Sequence, residues 1–143
     1  MEFTVLVWNL FHGRDHPPDP RLRTWRSRLL RFEERNATHV QVNRDLSGEF
    51  SQLLAAAEWD VALLQECPPR FAEPLAAACG ADWQRALTSR NSFAALRGLL
   101  ARQNPDLMAS GEGGSNLTLL RVPGKLGGIA ERRELAIHEG EPE

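Results

Sequence analysis

The sequence has only two cysteines, Cys67 and Cys79, and no Cys-x-x-Cys pair. That scarcity excludes a disulfide-stapled scaffold and a thiolate-rich metal or redox centre, and makes reduced thiols in the cytoplasm the expectation. Long apolar runs are missing as well. The opening MEFTVLVWN has no basic leader and is too short for a signal-peptide core or a bilayer span, so no membrane span is expected. Nor is there an excess of one charge: 17 Lys and Arg stand against 19 Asp and Glu, a formal charge of -2, with no global pull toward nucleic acid or membrane. A polyanionic substrate would have to be drawn by local charge. The arginines crowded between Arg14 and Arg44 read mostly as a solvated helix face, with Arg14 alone beside a candidate site.

What the sequence does contain, 143 residues of which 42% are hydrophobic, suffices for one globular domain. Phe3 to Trp8 is too short for a helix and carries the β-branched Val5 and Val7, which predicts a strand buried on both faces. A loop punctuated by Gly13, Pro17, Pro18 and Pro20 follows. Asp19-Pro20 then opens a helix along which Leu22, Trp25, Leu29 and Phe32 recur. A second helix is predicted over 43–58, with Leu46, Phe50, Leu53, Leu54 and Ala57 as its stripe. Val61 to Glu66 reads as a second buried strand, stopped by Pro68-Pro69. Pro69 to Cys79 is a short helix closed by Gly80, its middle weakened by Pro74. Trp83 to Thr88 is a third strand and Ser92 to Gln103 a further amphipathic helix. Asn116 to Val122 and Ile129 to Ile137 complete the pattern as a hairpin. Strand, helix and strand in alternation favour a layered α/β or α+β sandwich over a bundle.

Two strands joined by a helical crossover run parallel, so the polar residues that finish them, Asn9 and Glu66, emerge at one carboxyl edge, where ligands of such sheets bind. A carboxylate and an amide oxygen suit Mg²⁺, a hard cation that takes oxygen ligands together with water and substrate phosphate. On spacing alone, a turn-forming Asn9 and a Glu66 that merely caps the proline-rich segment are the better account, since strands ending in a carboxylate are common.

The wording of the segments adds to this. TVLVWNLFHG and WDVALLQECP resemble the two opening motifs of the endonuclease/exonuclease/phosphatase superfamily, whose first strand ends in Trp-Asn or a similar pair and whose next ends in Gln-Glu. Trp8-Asn9 and Gln65-Glu66 match those pairs, and GGSNLTLLR more loosely resembles a later strand of the family. The resemblance implies a DNase I-like four-layer α/β sandwich, incomplete in this chain, with residues 1–143 forming the N-terminal part of the domain. It implies that Glu66 coordinates a divalent cation, Mg²⁺ or Mn²⁺, that Asn9 helps to hold the metal and the scissile phosphate, and that Asn116 is a further contact. The implied substrate is a phosphoester, with nucleic acid, phospholipid head groups, inositol phosphates and small phosphodiesters all in the family's range. One departure is serious. The family's Asp-x-Asn and terminal Asp-His motifs do not occur where they are needed, and Asp15-His16 lies at the wrong end of the fold. The resemblance therefore implies a missing C-terminal half and a chain inactive by itself.

Other signals weigh less. His12 and His16 are read first as exposed loop residues, with a phosphate contact as the functional alternative. Gly111 to Gly114 lacks the lysine and the following helix of a nucleotide-binding loop, and reads as a flexible turn. Cys67 reads as a buried structural thiol, and Trp8, Trp25, Trp59 and Trp83 as packing residues. The competing function is a non-enzymatic binding or assembly module built on the same half-fold.

Overall fold

A computed structural model describes residues 1–14, 34–35, 40–41, 46–88, 99, 114–131 and 133 of the chain. Its main sheet has four strands: β1 (Val5–Asn9), β4 (Val61–Cys67), β5 (Ala81–Leu87) and β6 (Ser115–Arg121), in the order β1-β4-β6-β5. Strands β2 (Glu34–Arg35) and β3 (Val40–Gln41) form a separate antiparallel pair. Helices α1 (Ser47–Ala56) and α2 (Ala72–Cys79) complete a mixed α/β fold. The predicted helices over 20–32 and 92–103 fall outside the described residues, apart from an exposed Leu99.

Strand β1 runs parallel to β4, as the crossover reading requires, and β6 is antiparallel to both β4 and β5. The parallel register is anchored at its start. The Thr4 amide donates to Asp60 Oδ2 at 2.8 Å, and the Asp60 and Val61 amides donate back to the Thr4 carbonyl at 2.9 and 3.2 Å. Val5 thereby enters the sheet opposite Val61, and Asn9 arrives opposite Gln65. The Thr4 amide, followed by the Lys125 ammonium at 3.1 Å, holds the Asp60 carboxyl below the usual carboxylate range.

One face of the sheet carries the core. Ala62, Leu64, Leu117 and Leu119 pack with Phe50 and Leu54 of α1 and with Leu75 and Ala76 of α2, while Trp8 meets Phe50 edge to face at 5.1 Å. Full burial of such side chains stabilises the fold by roughly 1.5–3 kcal/mol each. The opposite face contradicts the expectation of strands buried on both sides. Val5 is 45% exposed, Val7 61% and Leu63 39%, and Val61 is half-buried, whereas Leu64 on the helical face is covered. Alternation along a strand sends every second residue to the other face, and both described helices pack on the first.

Three further expectations are corrected by the same packing. The expected stripe loses only Leu53, which is exposed; Leu46, Phe50 and Leu54 are buried and Ala57, just past the end of α1, packs against the core. Pro74 neither breaks nor demotes its helix, because a 3₁₀ turn over Pro69–Phe71 leads in and Pro74 falls in the first turn of α2, where a backbone N–H has no intrahelical partner. Gly80 closes α2 in the left-handed conformation, as its position predicts. Among the described residues no hairpin forms on β6: residues 129–131 and 133 are in no strand, both edges of β6 are occupied by β4 and β5, and the rest of the expected strand, 132 and 134–137, lies outside the described residues. The Ile129 amide instead donates to Asp82 Oδ2.

Candidate functional site

The residues named from the sequence meet through an irregularity in β4. Leu64 pairs with Leu117 and Cys67 with Ser115, so Gln65 and Glu66 together face the single residue Asn116. Two residues against one is a β-bulge, which re-aims side chains and often marks a site. Glu66 absorbs the distortion with a φ of +50°, in the left-handed region that a non-glycine residue seldom enters. Without the extra residue, Glu66 would follow Leu64 onto the helix-covered face. With it, Cys67 takes the buried position and the Glu66 side chain remains 44% exposed. Since Asn9 lies opposite Gln65, the positions of Asn9, Glu66 and Asn116 fall in one row across three neighbouring strands.

The turn after β1 is bent back onto this row. Phe11, His12 and Gly13 all have positive φ, at 46°, 57° and 87°. Asn9 Oδ1 accepts the Phe11 amide at 2.8 Å, the Leu10 and His12 amides donate to the carbonyls of Gln65 and Glu66 at 2.9 Å each, and the Gly13 and Arg14 amides both donate to the Leu10 carbonyl. Every amide from 10 to 14 is thus used within the protein, so the turn is a rigid support and offers no backbone cradle for an anion. Gly13 is required there. A Cβ would stand 3.0 Å from Pro68 Cγ and 3.1 Å from Phe71 Cζ, on a backbone already left-handed.

This turn places His12 Nε2 3.6 Å from Glu66 Oε2. The other ring nitrogen, Nδ1, is buried and has no hydrogen-bond partner among the described residues. Gly114 makes room for the ring. A Cβ on it would lie 3.2 Å from His12 Cε1 and 2.8 Å from Thr88 Oγ1. Gly114 is buried, and its carbonyl accepts the Thr88 amide at 3.0 Å, so the expected flexible turn is, at this residue, a packed continuation of the β5–β6 ladder. The contribution of Gly114 and Thr88 was not legible in the sequence; only the glycine directly before a strand hinted at a close approach.

Chemically, the row supplies one carboxylate and two side-chain amides, with an imidazole beside the carboxylate. Hard oxygen donors of this kind fit a divalent cation that keeps several waters. No group of three His, Cys, Asp or Glu able to cage a metal occurs among the described residues. Arg14, expected beside the site, is buried at 4% exposure and is no solvent-facing clamp for substrate. Cys67 is buried, with Sγ 3.5 Å from the Pro68 carbonyl, which fits a structural thiol. Trp59 packs in the core and donates Nε1 to the Leu54 carbonyl, whereas Trp83 is 42% exposed at an edge strand, contrary to the packing role expected of it. Asp15, His16, Trp25, His39 and His138 lie outside the described residues. No described helix is long and apolar enough to cross a membrane. The chain matches no family model, no curated protein and no solved structure.

Proposed function

We propose that the row of Asn9, Glu66 and Asn116 is part of the site of a metal-dependent phosphoester hydrolase with a DNase I-like sandwich fold. The observation that carries this reading is the bulge, which turns Glu66 out of the core and into line with Asn9 and Asn116 at a strained backbone position. In this reading Glu66 gives Mg²⁺ or Mn²⁺ a charged oxygen, and the Asn9 amide contributes a second polar contact. Bound there, the cation supplies Lewis-acid polarisation of a phosphoryl oxygen. The chain's own residues orient the phosphate: the amides of Asn9 and Asn116 are the neutral donors of the row, able to hold a phosphoryl oxygen without competing for the cation.

Among the described residues no pair suited to activate water accompanies them in the row, and slow turnover of a generic phosphodiester by residues 1–143 is the expected outcome. Titrating Mg²⁺ and Mn²⁺ into wild type and Glu66→Gln, beside an assay with bis-nitrophenyl phosphate, tests the reading. Cation binding that weakens at least tenfold in Glu66→Gln supports it. Unchanged binding in that variant overturns the metal assignment, and brisk metal-dependent hydrolysis by residues 1–143 overturns the absence of a base.

A second reading, a non-enzymatic binding or assembly module, is favoured by the exposed apolar face of Val5, Val7 and Leu63. It predicts no cation-dependent change in any property of the Glu66 row.

A further inference from the structure

We propose that the outer edge of β1 is an interaction surface for a second copy of this chain, and that two chains pair there as antiparallel strands about a two-fold axis at Val7. The inference is independent of the metal reading of Glu66. It starts from a conflict between the strand and its position. Val5, Leu6, Val7 and Trp8 are apolar in succession, the pattern of a strand enclosed on both faces, yet the order β1-β4-β6-β5 places this strand at an edge. Val5 and Val7 are exposed on the open face of the sheet, and Leu6 and Trp8 are only half-buried on the helical face, where they pack at the margin of the core.

The backbone carries the argument further. The Thr4 carbonyl accepts the Val61 amide at 3.2 Å and the Leu10 amide donates to the Gln65 carbonyl at 2.9 Å, so the even-numbered residues of this segment turn their peptide groups toward β4. Those of Val5, Val7 and Asn9 therefore point the other way, where no strand pairs with β1 among the described residues. Folded proteins protect such edges with charge, proline or a bulge. The β5 edge carries Asp82 and Arg85, whereas β1 reads VLVWN, pairs regularly with β4 and has none of the three. These features select the occupant. An uncharged edge offers nothing to attract a partner of opposite charge and nothing to repel its own copy. The register also closes on itself. With Val7 opposite Val7 of the second copy, Val5 falls opposite Asn9 of that copy, and the outward peptide groups of all three residues exchange hydrogen bonds as antiparallel pairs do. Leu6 then meets Trp8 of the second copy on the helical face, an aliphatic and aromatic cross-strand pair that extends each core over the shared edge.

The test is sedimentation velocity of the 143-residue chain from about 1 to about 500 µM, a span that covers weak association, together with hydrogen exchange of the Val5, Val7 and Asn9 amides. Dimer is expected to grow with concentration, and exchange at these amides to slow in step with it. Val7→Pro removes the central amide, which β4 does not use, and Val7→Lys sets like charges against each other at the two-fold axis. Both variants are expected to stay monomeric while keeping the far-UV circular dichroism of wild type, since Val7 is exposed. Leu63→Lys, on the same open face but one strand in, is expected to dimerise as wild type does. A monomer at every concentration overturns the proposal, as does a dimer that survives both Val7 variants. Loss of the dimer in Leu63→Lys with its retention in Val7→Pro shows two sheet faces stacked, and overturns it too. Full protection of the three amides in the monomer at the lowest concentration means that another part of this chain covers the edge, which leaves no place for a copy.

Discussion

The left-handed backbone at Glu66 makes stability and cation binding separable at one residue. A non-glycine residue in that region costs on the order of 1–2 kcal/mol, and Glu66 sits there at φ +50°. Glu66→Gly relieves the strain but gives the unfolded chain more freedom, which returns roughly 0.4–1 kcal/mol. The net expectation is a gain of about 0.5–1 kcal/mol, with Glu66→Asn also gaining because Asn tolerates the left-handed region. Glu66→Gln keeps the backbone problem and loses only the charge. Its stability should match wild type within about 0.5 kcal/mol, since the approach to His12 at 3.6 Å joins two partly exposed groups and exposed pairs contribute little. Urea unfolding of the four proteins at one pH, with slopes compared to exclude a change in the denatured state, gives the ordering directly. The expected order is Gly and Asn above wild type and Gln, while cation affinity falls in all three variants. A Gly variant less stable than the Gln variant would refute the reasoning, because it would mean that the carboxylate side chain, and not backbone strain, dominates the folding energetics of the bulge.

Gly114→Ala should cost about 1 kcal/mol and shift the His12 ring resonances in an NMR spectrum, since the new Cβ meets His12 Cε1 at 3.2 Å and Thr88 Oγ1 at 2.8 Å. Adding Thr88→Ala should recover part of that loss, and no recovery would place the clash elsewhere. Arg121 Nη2 donates to the carbonyls of Leu54, Ala55 and Ala57 at the end of α1, and its guanidinium lies 4.5 Å over the Trp59 ring. Arg121→Ala should therefore lower unfolding stability by about 2–3 kcal/mol, and a loss below about 0.5 kcal/mol would show that these contacts hold little. Burial pushes the Cys79 thiol above its ordinary range against the pull of Arg121, so at pH 8 it should alkylate more slowly than free cysteine. A rate equal to that of free cysteine counts against this burial.

Much of the arrangement could be read from residues one after another. The β-branched Val5 and Val7, the apolar run from Val61, the closing Gly80 and the alternation from Asn116 placed strands and a helix end close to where they form, because strand and cap preferences are local. The parallel partnership of β1 and β4 followed from the helical crossover between them. Tertiary structure decided the rest. Nothing local distinguishes a strand covered on one face from one covered on two, so the exposure of Val7 and Leu63 depended on where α1 and α2 pack. That no hairpin forms on β6 among the described residues depended on both its edges being taken, a property of strand order. At the site, Asn9, Glu66 and Asn116 could be named from the sequence, but their common row required a bulge whose extra residue is defined only against a partner strand 50 residues away in the chain. The approach of His12 to Glu66, and the need for glycine at 114, arise from chain segments that meet only in the folded molecule, where a missing Cβ decides whether an imidazole fits.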